Sequence, residues 1–441
     1  MMRAMSSSRR SFLGAAAAMA VGAGLPASPV RPAFAAGRPR SPRDPRRLMV
    51  IGVGGRGAAN LDGVAAERIE VLCDVDRGTL ANAAKRFPGA RLVADYRDVL
   101  RDAKACAGLD GVVISTPDHT HYLPAMLALE HHLDVYCEKP LTQTIAQARR
   151  LLRTATANRC VTQMGTQIHA HENFRRVVEA IRAGAIGAVR EVVVFVNATD
   201  WSATELPQPG DVPDGLAWDL WLGPAAPRAF SPGYHPAGWR RYWAFGGGTT
   251  ADMACHHMDL AFWALELDAP TTLRADGPPP HGECAPDAMR CEFAFPAKGA
   301  RPAVTLRWHA AKDRPLQLGV RGLDKWRNGV LFVGDDGWLV SDYDNHEIGP
   351  AARAAAWQRP APSIPPSPGH HREWLDACAN RTQPSCTFAY AVPLTETALL
   401  ANVAYRAARG RTLRWDAPAM RTDDDGANAL LEVAVRDGFG A

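Results

Sequence analysis

Residues 47–74, RLMVIGVGGRGAANLDGVAAERIEVLCD, decide the fold of this chain. A short apolar run is followed by the glycine pattern Gly52-x-Gly54-x-x-Gly57, where a helix must begin. A second apolar run then ends at Asp74. In this context the glycines permit a tight turn, let a pyrophosphate approach the backbone and let the helix pack closely on the strand. The stretch therefore predicts a dinucleotide-binding βαβ unit, with a glycine turn of an ordinary α/β protein as the alternative.

The acid that ends the second apolar run distinguishes between the two nicotinamide dinucleotides. A carboxylate at Asp74 can bind both ribose hydroxyls, and it repels the 2′-phosphate of NADP. Arg77 follows closely in the sequence and weakens this preference, because an arginine can accommodate that phosphate. The pattern favours NAD as the cofactor and makes NADP the less favoured one.

Apolar runs alternate with amphipathic helical stretches between residues 46 and 165. The expected strands are 48–52, 69–73, 91–94, 111–115, 133–137 and 160–164. Strands joined by helical crossovers form a parallel sheet with helices on both faces. Residues 46–165 are therefore predicted to form an α/β Rossmann domain with a doubly wound parallel sheet.

The pattern changes after residue 165. The expected elements are a helix at 171–183, a strand at 188–197, an irregular Trp-, Pro- and Gly-rich stretch at 198–248, a helix at 250–265, strands between 270 and 342, and helices at 369–380 and 390–409. This order predicts an α+β substrate domain over 166–416 with an open, mainly antiparallel sheet. Residues 417–441 are a C-terminal tail, in which an acidic cluster at 423–425 can cap one last helix.

The N-terminus has the pattern of an export signal. Arg9 and Arg10 precede an alanine-rich apolar run, which ends in the cleavage-site pattern Ala33-Phe34-Ala35. We expect residues 1–35 to be a twin-arginine signal peptide. Residues 36–45 are then an exposed linker, and the mature protein is periplasmic or otherwise exported by the twin-arginine machinery.

Charge and composition exclude several classes of function. The chain has a formal net charge of +4, and residues 1–35 contain four arginines and no acid, so the mature chain is formally neutral. It therefore lacks the basic stripe expected of a nucleic-acid partner, and no later segment is apolar enough to span a membrane stably. Nine cysteines without a C-x-x-C pair argue against a metal site or a disulfide framework. Oxidation of Cys378 with Cys386, or of Cys284 with Cys291, stays open.

Two loops follow predicted strands of the first domain at the edge where open α/β sheets bind ligands. Residues 115–121, STPDHTH, can line the nicotinamide side of the site, although loop capping explains the two histidines equally well. Glu138-Lys139-Pro140 places one of only six lysines in the chain at a strand end. A lysine can lose its proton when it is desolvated, so Lys139 is a candidate for acid/base work, with a structural ion pair as the alternative.

The stretch 246–259, GGGTTADMACHHMD, is a glycine hinge that leads into a helix. Asp252 and His256 are four residues apart and share one helix face. A role for Asp252 in capping the helix start and a role for His256 in the core are the alternatives. Metal binding through His256 and His257 is disfavoured, because adjacent histidines do not share a helix face.

In this order, the segments GVGGRG, CDVD, STPDHTH, CEKP and DMACHHMD resemble the Gfo/Idh/MocA family of glucose-fructose oxidoreductases and inositol dehydrogenases, over residues 46–416. The segments 218–224 and 239–243 resemble an exported branch of that family. The resemblance implies that Lys139, Asp252 and His256 form the catalytic group. The residues expected to bind the cofactor are Gly52, Gly54, Gly55, Arg56, Gly57, Asp74, Ser115, Thr116, Pro117, His121, Glu138 and Lys139. The residues expected to bind substrate are Gln167, Trp239, Arg240 and His257.

The implied reaction is hydride transfer between a tightly bound NAD and a sugar or polyol hydroxyl carbon, in a homo-oligomer formed through the open sheet. His256 would take the hydroxyl proton, Asp252 would orient His256 and balance its charge, and Lys139 would polarise the oxygen. Whether His256 or Lys139 is the base stays open. Trp218, Trp221, Trp239 and Trp243 either stack on the sugar or pack beneath the loop. A redox-neutral NAD-dependent glycoside hydrolase and a non-catalytic sugar-binding protein are the alternative functions.

Overall fold

A computed structural model describes residues 44–440, so the predicted signal peptide and most of the predicted linker lie outside the described residues. The first domain contains β1 (Arg47–Ile51), α1 (Arg56–Gly63), β2 (Arg68–Cys73), α2 (Arg77–Ala84), β3 (Arg91–Val93), α3 (Arg97–Leu100), α4 (Ala103–Cys106), β4 (Gly111–Ile114), α5 (Tyr122–Glu130), β5 (Asp134–Glu138), α6 (Ile145–Asn158) and β6 (Thr162–Gly165). All six strands are parallel, in the order β3-β2-β1-β4-β5-β6. This order confirms the predicted Rossmann sheet.

The strands of this sheet are buried on both faces, which explains their continuous apolar runs. Along β1, Met49 and Ile51 join one apolar core, and Leu48 and Val50 join a second core on the other face. The second core includes Trp374, which lies far along the chain in the part expected to form the substrate domain. A late helix therefore covers part of the Rossmann sheet, a contact that local periodicity does not reveal.

The second part of the chain forms a nine-stranded sheet. Its elements are α7 (Glu172–Arg182), β7 (Val189–Val196), α8 (Trp218–Leu222), α9 (Gly248–Leu265), β8 (Thr272–Asp276), β9 (Ala288–Phe295), β10 (Val304–Ala311), α10 (Leu316–Gly319), β11 (Asn328–Gly334), β12 (Trp338–Ser341), β13 (His346–Gly349), α11 (Ala351–Ala356), α12 (His370–Asn380), α13 (Phe388–Ala408), β14 (Thr412–Asp416), β15 (Arg421–Thr422) and α14 (Asp425–Asn428). The strand order is β13-β12-β11-β7-β10-β9-β8-β14-β15. Only β7 and β10 pair in parallel within this described sheet, which confirms a mainly antiparallel arrangement.

A short-range contact caps the last helix of the chain. The carboxylate of Asp424 accepts a hydrogen bond from the Ala427 amide at 2.8 Å, so it caps α14 as the acidic cluster predicts. The helix is a single turn.

All nine cysteines lie in the described range, and each is a free, buried thiol. Between residues 44 and 440, no helix has the length and apolar character needed to cross a membrane.

Candidate active site

A cavity of about 900 Å³ lies between the carboxyl edge of the Rossmann sheet and α9 of the second domain. The glycine turn after β1 lines one side, and the loops after β4 and β5 line the floor. Of the predicted site residues, all line this cavity except Gly57, His121 and His257. A single continuous space therefore brings together the expected cofactor and catalytic residues.

The glycine turn has the geometry that a pyrophosphate requires. A Cβ on Gly57 would lie 2.0 Å from the carbonyl oxygen of Gly52, so only a glycine lets α1 approach β1 this closely. Gly52 has a positive φ of 76°, and a Cβ there would lie 2.8 Å from the Ser115 carbonyl oxygen. Gly55 faces open space, and Arg56 begins α1 at the cavity wall. The absence of side chains at these glycines leaves a concave turn, which we call the glycine cradle, and the N-terminus of α1 faces an anion bound there.

Carboxylates line the part of the cavity around Asp74. Asp74 accepts hydrogen bonds from the amides of Val53 and Asp76, both at 2.9 Å, and burial raises its pKa. Asp76 and Asp95 line the same part of the cavity. Arg77, which the sequence suggested as a partner for a 2′-phosphate, does not line this cavity. The negative charge around Asp74 therefore disfavours NADP more strongly than the sequence indicated.

His121 braces the floor of the cavity and does not bind within it, which corrects its predicted role in cofactor binding. Its Nδ1 lies 2.8 Å from the Pro140 carbonyl oxygen, and its Nε2 lies 2.8 Å from that of Thr116. Burial lowers the pKa of His121 to about 4, so the ring is neutral and can donate only one hydrogen bond. It packs between the loop after β4 and the loop after β5 and donates a hydrogen bond to one of them. His119 is also buried, against Trp221, as expected for a packing residue.

Asp252 is the centre of a four-residue polar cluster. Lys139 Nζ donates to Asp252 Oδ1 at 2.8 Å and also to its backbone carbonyl. Arg240 Nε donates to the same carboxylate oxygen at 3.1 Å, and Trp201 Nε1 donates to the other at 2.8 Å. Burial acts to raise the pKa of Asp252, but the charges of Lys139 and Arg240 outweigh it and hold the pKa below its usual range. Asp252 is therefore a fixed anion that orients Lys139.

His256 lies in the cavity wall but is not paired with Asp252. Its Nδ1 is enclosed without a hydrogen-bond partner among residues 44–440, which leaves Nε2 as the nitrogen that can meet a ligand. Burial lowers the pKa of His256 well below its ordinary value, so the ring is neutral. The expectation that Asp252 orients His256 is not met, because the carboxylate turns towards Lys139 and Trp201, although the shared helix face brings both residues to the cavity.

One polar part of the cavity wall is built on Glu138. This fully buried carboxyl group accepts hydrogen bonds from Gln167 Nε2 at 2.6 Å and from Asn60 Nδ2 at 2.8 Å. Burial raises its pKa, although these hydrogen bonds oppose that shift. Gln167 therefore lines the cavity in an orientation held by Glu138.

His257 packs behind the cavity, which corrects its predicted role in substrate binding. Both ring nitrogens are enclosed and find no partner in the described part of the chain. The ring stacks on Tyr343 with 4.7 Å between ring centroids. Tyr343 itself lines the cavity. His257 faces inward because its neighbour His256 occupies the helix face that meets the cavity.

Of the four tryptophans expected either to stack on a sugar or to pack beneath the loop, some line the cavity and others pack away from it. Trp239 lines the cavity, and the Arg240 guanidinium lies 4.2 Å from its ring centroid. Trp221 also lines the cavity and stacks on Trp218 at 4.6 Å. Trp243 packs elsewhere, where its Nε1 donates to the His281 carbonyl oxygen at 3.0 Å.

Sequence reasoning missed several residues of the site. The cavity residues without a predicted role in binding or catalysis include Asp76, Asp95, Asp118, His171, Trp201, His235, Tyr343 and Phe439. Asp118 belongs to the segment 115–121, but its burial, which raises the pKa of its carboxyl group to about 7, has no local sequence pattern. Trp201 lies in the irregular stretch, where no periodic pattern singles it out.

Replacement of His257 with leucine is expected to reduce the sensitivity of the fold to acid. Burial lowers the pKa of His257 to about 3, below its ordinary value of 6.5, so the unfolded chain takes up a proton first as the pH falls. This group therefore destabilises the wild-type fold progressively below pH 6.5, by about 1.4 kcal/mol per pH unit. In urea unfolding, His257→Leu should gain stability relative to wild type as the pH is lowered from about 6 to about 4.5, by about 2 kcal/mol. A stability difference that does not change with pH would contradict this assignment.

Comparisons with known proteins agree with this geometry. A family model described as an oxidoreductase family with an NAD-binding Rossmann fold matches residues 46–166, and the C-terminal α/β domain of the same family matches residues 173–301. This chain belongs to the Gfo/Idh/MocA oxidoreductase family. Its first domain is accordingly an NAD-binding domain, and the glycine cradle and Asp74 fit that cofactor.

Individual relatives of this Gfo/Idh/MocA protein are distant. Inositol 2-dehydrogenase 1 of Saccharopolyspora erythraea is 34% identical over 147 residues, covering 32% of this chain and 42% of that protein. The matches span less than half the length of the first curated relatives.

Solved structures share the fold. GenD2 from gentamicin A biosynthesis, in complex with NAD, matches with a TM-score of 0.58 and 19% identity over 86% of this chain and 99% of that one. The WlbA dehydrogenase of Bordetella pertussis, in complex with NADH and UDP-GlcNAcA, matches with a TM-score of 0.59 and 15% identity over 84% and 99%.

Proposed function

We propose that this protein is an NAD-dependent oxidoreductase that acts on a hydroxyl-bearing carbon of a sugar or polyol. The observation that carries the proposal is the placement of Lys139 and His256 in the same cavity as the glycine turn and Asp74. The family description is of an oxidoreductase, and the relatives include inositol 2-dehydrogenases. Neither a redox-neutral hydrolase nor a non-catalytic sugar-binding protein receives support from that description.

The residues of the cavity suit proton transfer at the substrate hydroxyl. Lys139 pairs with the Asp252 carboxylate, which places its Nζ to donate a hydrogen bond to the substrate oxygen and to stabilise negative charge there. His256 is neutral, and in the tautomer that carries its proton on Nδ1 its Nε2 can accept the hydroxyl proton. Bound NAD⁺ supplies the hydride acceptor. We therefore assign the base to His256 and the electrostatic role to Lys139.

The substrate end of the cavity suits a hydroxylated ring. Trp201, Trp239 and Tyr343 provide aromatic walls, and Arg240 adds a hydrogen-bond donor close by. Gln167 Nε2 already donates to Tyr136 and Glu138, so Gln167 offers its side-chain oxygen as an acceptor. Aromatic faces cover the apolar side of a sugar, while directional donors distinguish its hydroxyl groups. This combination supports a carbohydrate as the substrate class.

The test is an assay of purified protein with NAD⁺ or NADP⁺ against polyols, inositols, aldoses and aryl glycosides. We expect NADH formation matched by a ketone or lactone product, with NAD⁺ preferred. His256→Ala should lower turnover by at least about a hundredfold, and added imidazole should restore part of it. Phenol release from aryl glycosides without net NADH formation would instead identify a redox-neutral hydrolase.

We also propose that the protein is exported through the twin-arginine pathway. The support is the sequence alone, namely Arg9 and Arg10 before the apolar run and the Ala33-Phe34-Ala35 pattern. Export of a folded protein would carry its cofactor with it, so the cofactor would need to stay bound. Retention of an Arg9→Lys, Arg10→Lys variant in the cytoplasm, with wild type in the periplasm, is the expected result of cell fractionation, and equal periplasmic amounts would contradict it.

A homo-oligomer through the open face of the second sheet is a further part of the proposal. That face carries a broad groove lined by Arg290, Glu292 and Arg307, next to Leu316 and Val320, whose exposed fractions are 85% and 80%. Exposed aliphatic residues beside complementary charges suit a self-association surface. Light scattering should report an oligomer that Val320→Lys dissociates, and a wild-type monomer at all concentrations would exclude it.

A further inference from the structure

The C-terminal strap, residues 431–440, contacts both the Rossmann domain and the second domain. It begins at Leu431, which is buried and whose carbonyl oxygen accepts a hydrogen bond from the Ala146 amide at 3.1 Å. It ends at Phe439, which is only 5% exposed and lines the main cavity. The last residues of the described chain therefore form part of the wall of the nucleotide site.

Arg436 fastens the strap to the second domain. Its backbone amide donates to the Pro224 carbonyl oxygen at 3.1 Å, and its Nε donates to the Gly223 carbonyl oxygen at 3.0 Å. Its guanidinium also pairs with the Asp219 carboxylate and donates to the Asp219 carbonyl oxygen at 2.8 Å. This anchor lies on α8 and the turn that follows it.

Two arginines fasten the other end of the strap to the Rossmann domain. Arg97 Nη1 and Arg101 Nη2 donate to the Gly438 carbonyl oxygen at 3.0 and 2.9 Å. Arg97 is itself held by the Asp95 carboxylate, with Nη2 to Oδ2 at 2.7 Å. Asp95 lines the part of the cavity around Asp74. The strap is therefore attached to the rim of the site that would hold the adenosine.

Phe439 lies between two guanidinium groups. The carbon at the centre of the Arg97 guanidinium is 4.0 Å from the ring centroid, and that of Arg436 is 4.8 Å away. A guanidinium over an aromatic face is attractive, and more so where water is excluded. The ring is thus fixed in the wall that also contains Asp74 and Tyr96.

We propose that the C-terminal strap is the outer wall of the adenosine site and that it slows release of the dinucleotide. This inference about the strap rests on the NAD-dependent function proposed above. For the dinucleotide to leave past this wall, the Phe439 ring must separate from the guanidinium groups of Arg97 and Arg436. The Gly438 carbonyl oxygen must also lose its hydrogen bonds from Arg97 and Arg101. The strap is bonded to α8 of the second domain and to α3 of the Rossmann domain. Retention of the cofactor by the strap therefore also depends on the relative position of these two helices. Such retention suits an enzyme that keeps one cofactor through repeated cycles.

The experiment measures NADH dissociation from the full protein by stopped-flow fluorescence, with excess NAD⁺ as the displacing ligand. A chain truncated after Val435 should release NADH at least about tenfold faster than wild type, equivalent to about 1.4 kcal/mol. Phe439→Ala should increase the rate by several-fold, and Phe439→Tyr, which keeps the ring, should stay close to wild type. Val435→Ala is the matched control, because this strap residue is 38% exposed and does not line the cavity.

Thermal melting of each variant separates a local effect from unfolding. Phe439→Ala with a wild-type melting temperature and a faster NADH release supports the strap as a retention device. Unchanged release from both Phe439→Ala and the truncated chain would overturn the strap proposal while leaving the proposed function intact. Wild-type protein that binds no NADH would overturn both.

Discussion

Lys139→Met is expected to lower the turnover number of the proposed sugar or polyol oxidation by at least about a hundredfold, a loss typical of an essential acid/base or charge-stabilising group. Methionine keeps an unbranched apolar stem but has neither the charge nor the N–H groups that the substrate oxygen requires. Asp252 keeps Arg240 and Trp201 as donors, at 3.1 and 2.8 Å, so the cluster retains its shape. Steady-state kinetics with NAD⁺ and fluorescence titration with NADH are the measurements, and NADH affinity should stay close to wild type.

Lys85→Met is the matched control for this prediction. Lys85 is an exposed lysine that donates to Asn82 Oδ1 at 2.9 Å outside the cavity, so its replacement should leave turnover unchanged. Asp252→Asn should reproduce most of the loss at Lys139, because Lys139 then has no anionic partner to hold its orientation. If Lys139→Met has the same turnover number as Lys85→Met, then Lys139 takes no part in the reaction.

Gly57→Ala is expected to weaken NADH binding by at least about tenfold, or about 1.4 kcal/mol. The added Cβ would lie 2.0 Å from the Gly52 carbonyl oxygen and 2.7 Å from its carbonyl carbon. Both contacts are with backbone, so the turn must move and α1 must separate from β1. Fluorescence titration with NADH measures the effect, and circular dichroism checks that the sheet is retained.

Gly89→Ala controls for the general effect of replacing a glycine in this domain. A Cβ on Gly89 meets no atom within 4 Å, and this variant should bind NADH as wild type does. Wild-type affinity in Gly57→Ala as well would show that the turn does not hold the cofactor as proposed.

The sheet and the helix faces follow from local rules. Period and turn chemistry place β1, the glycine turn and Asp74 correctly, because each depends on neighbours within one βαβ unit. The same applies to Asp252 and His256, which the i, i+4 spacing on α9 places together at the cavity. Spacing does not determine which groups those side chains bind, and Asp252 turned towards Lys139.

The position of a residue within a motif does not by itself determine whether its side chain meets a ligand. His121 and His257 both belong to recognisable segments, but burial turned them inward, and their lowered pKa values follow from that burial. A loop histidine and a helix histidine have no local feature that reports whether a neighbouring element covers them.

The sequence alone determined the Rossmann topology and the nucleotide class, because short-range spacing fixes backbone geometry and helix faces. The family resemblance added the prediction that Lys139, Asp252 and His256 act together, and all three line the cavity. Only the tertiary structure decided what those residues contact. Trp201 reaches Asp252 across 51 positions, and Arg97 reaches Gly438 across 341. Contacts at such separations depend on how whole helices and strands pack together. The burial and the charges that stabilise these contacts come from several segments at once, so no single segment of the sequence reveals them.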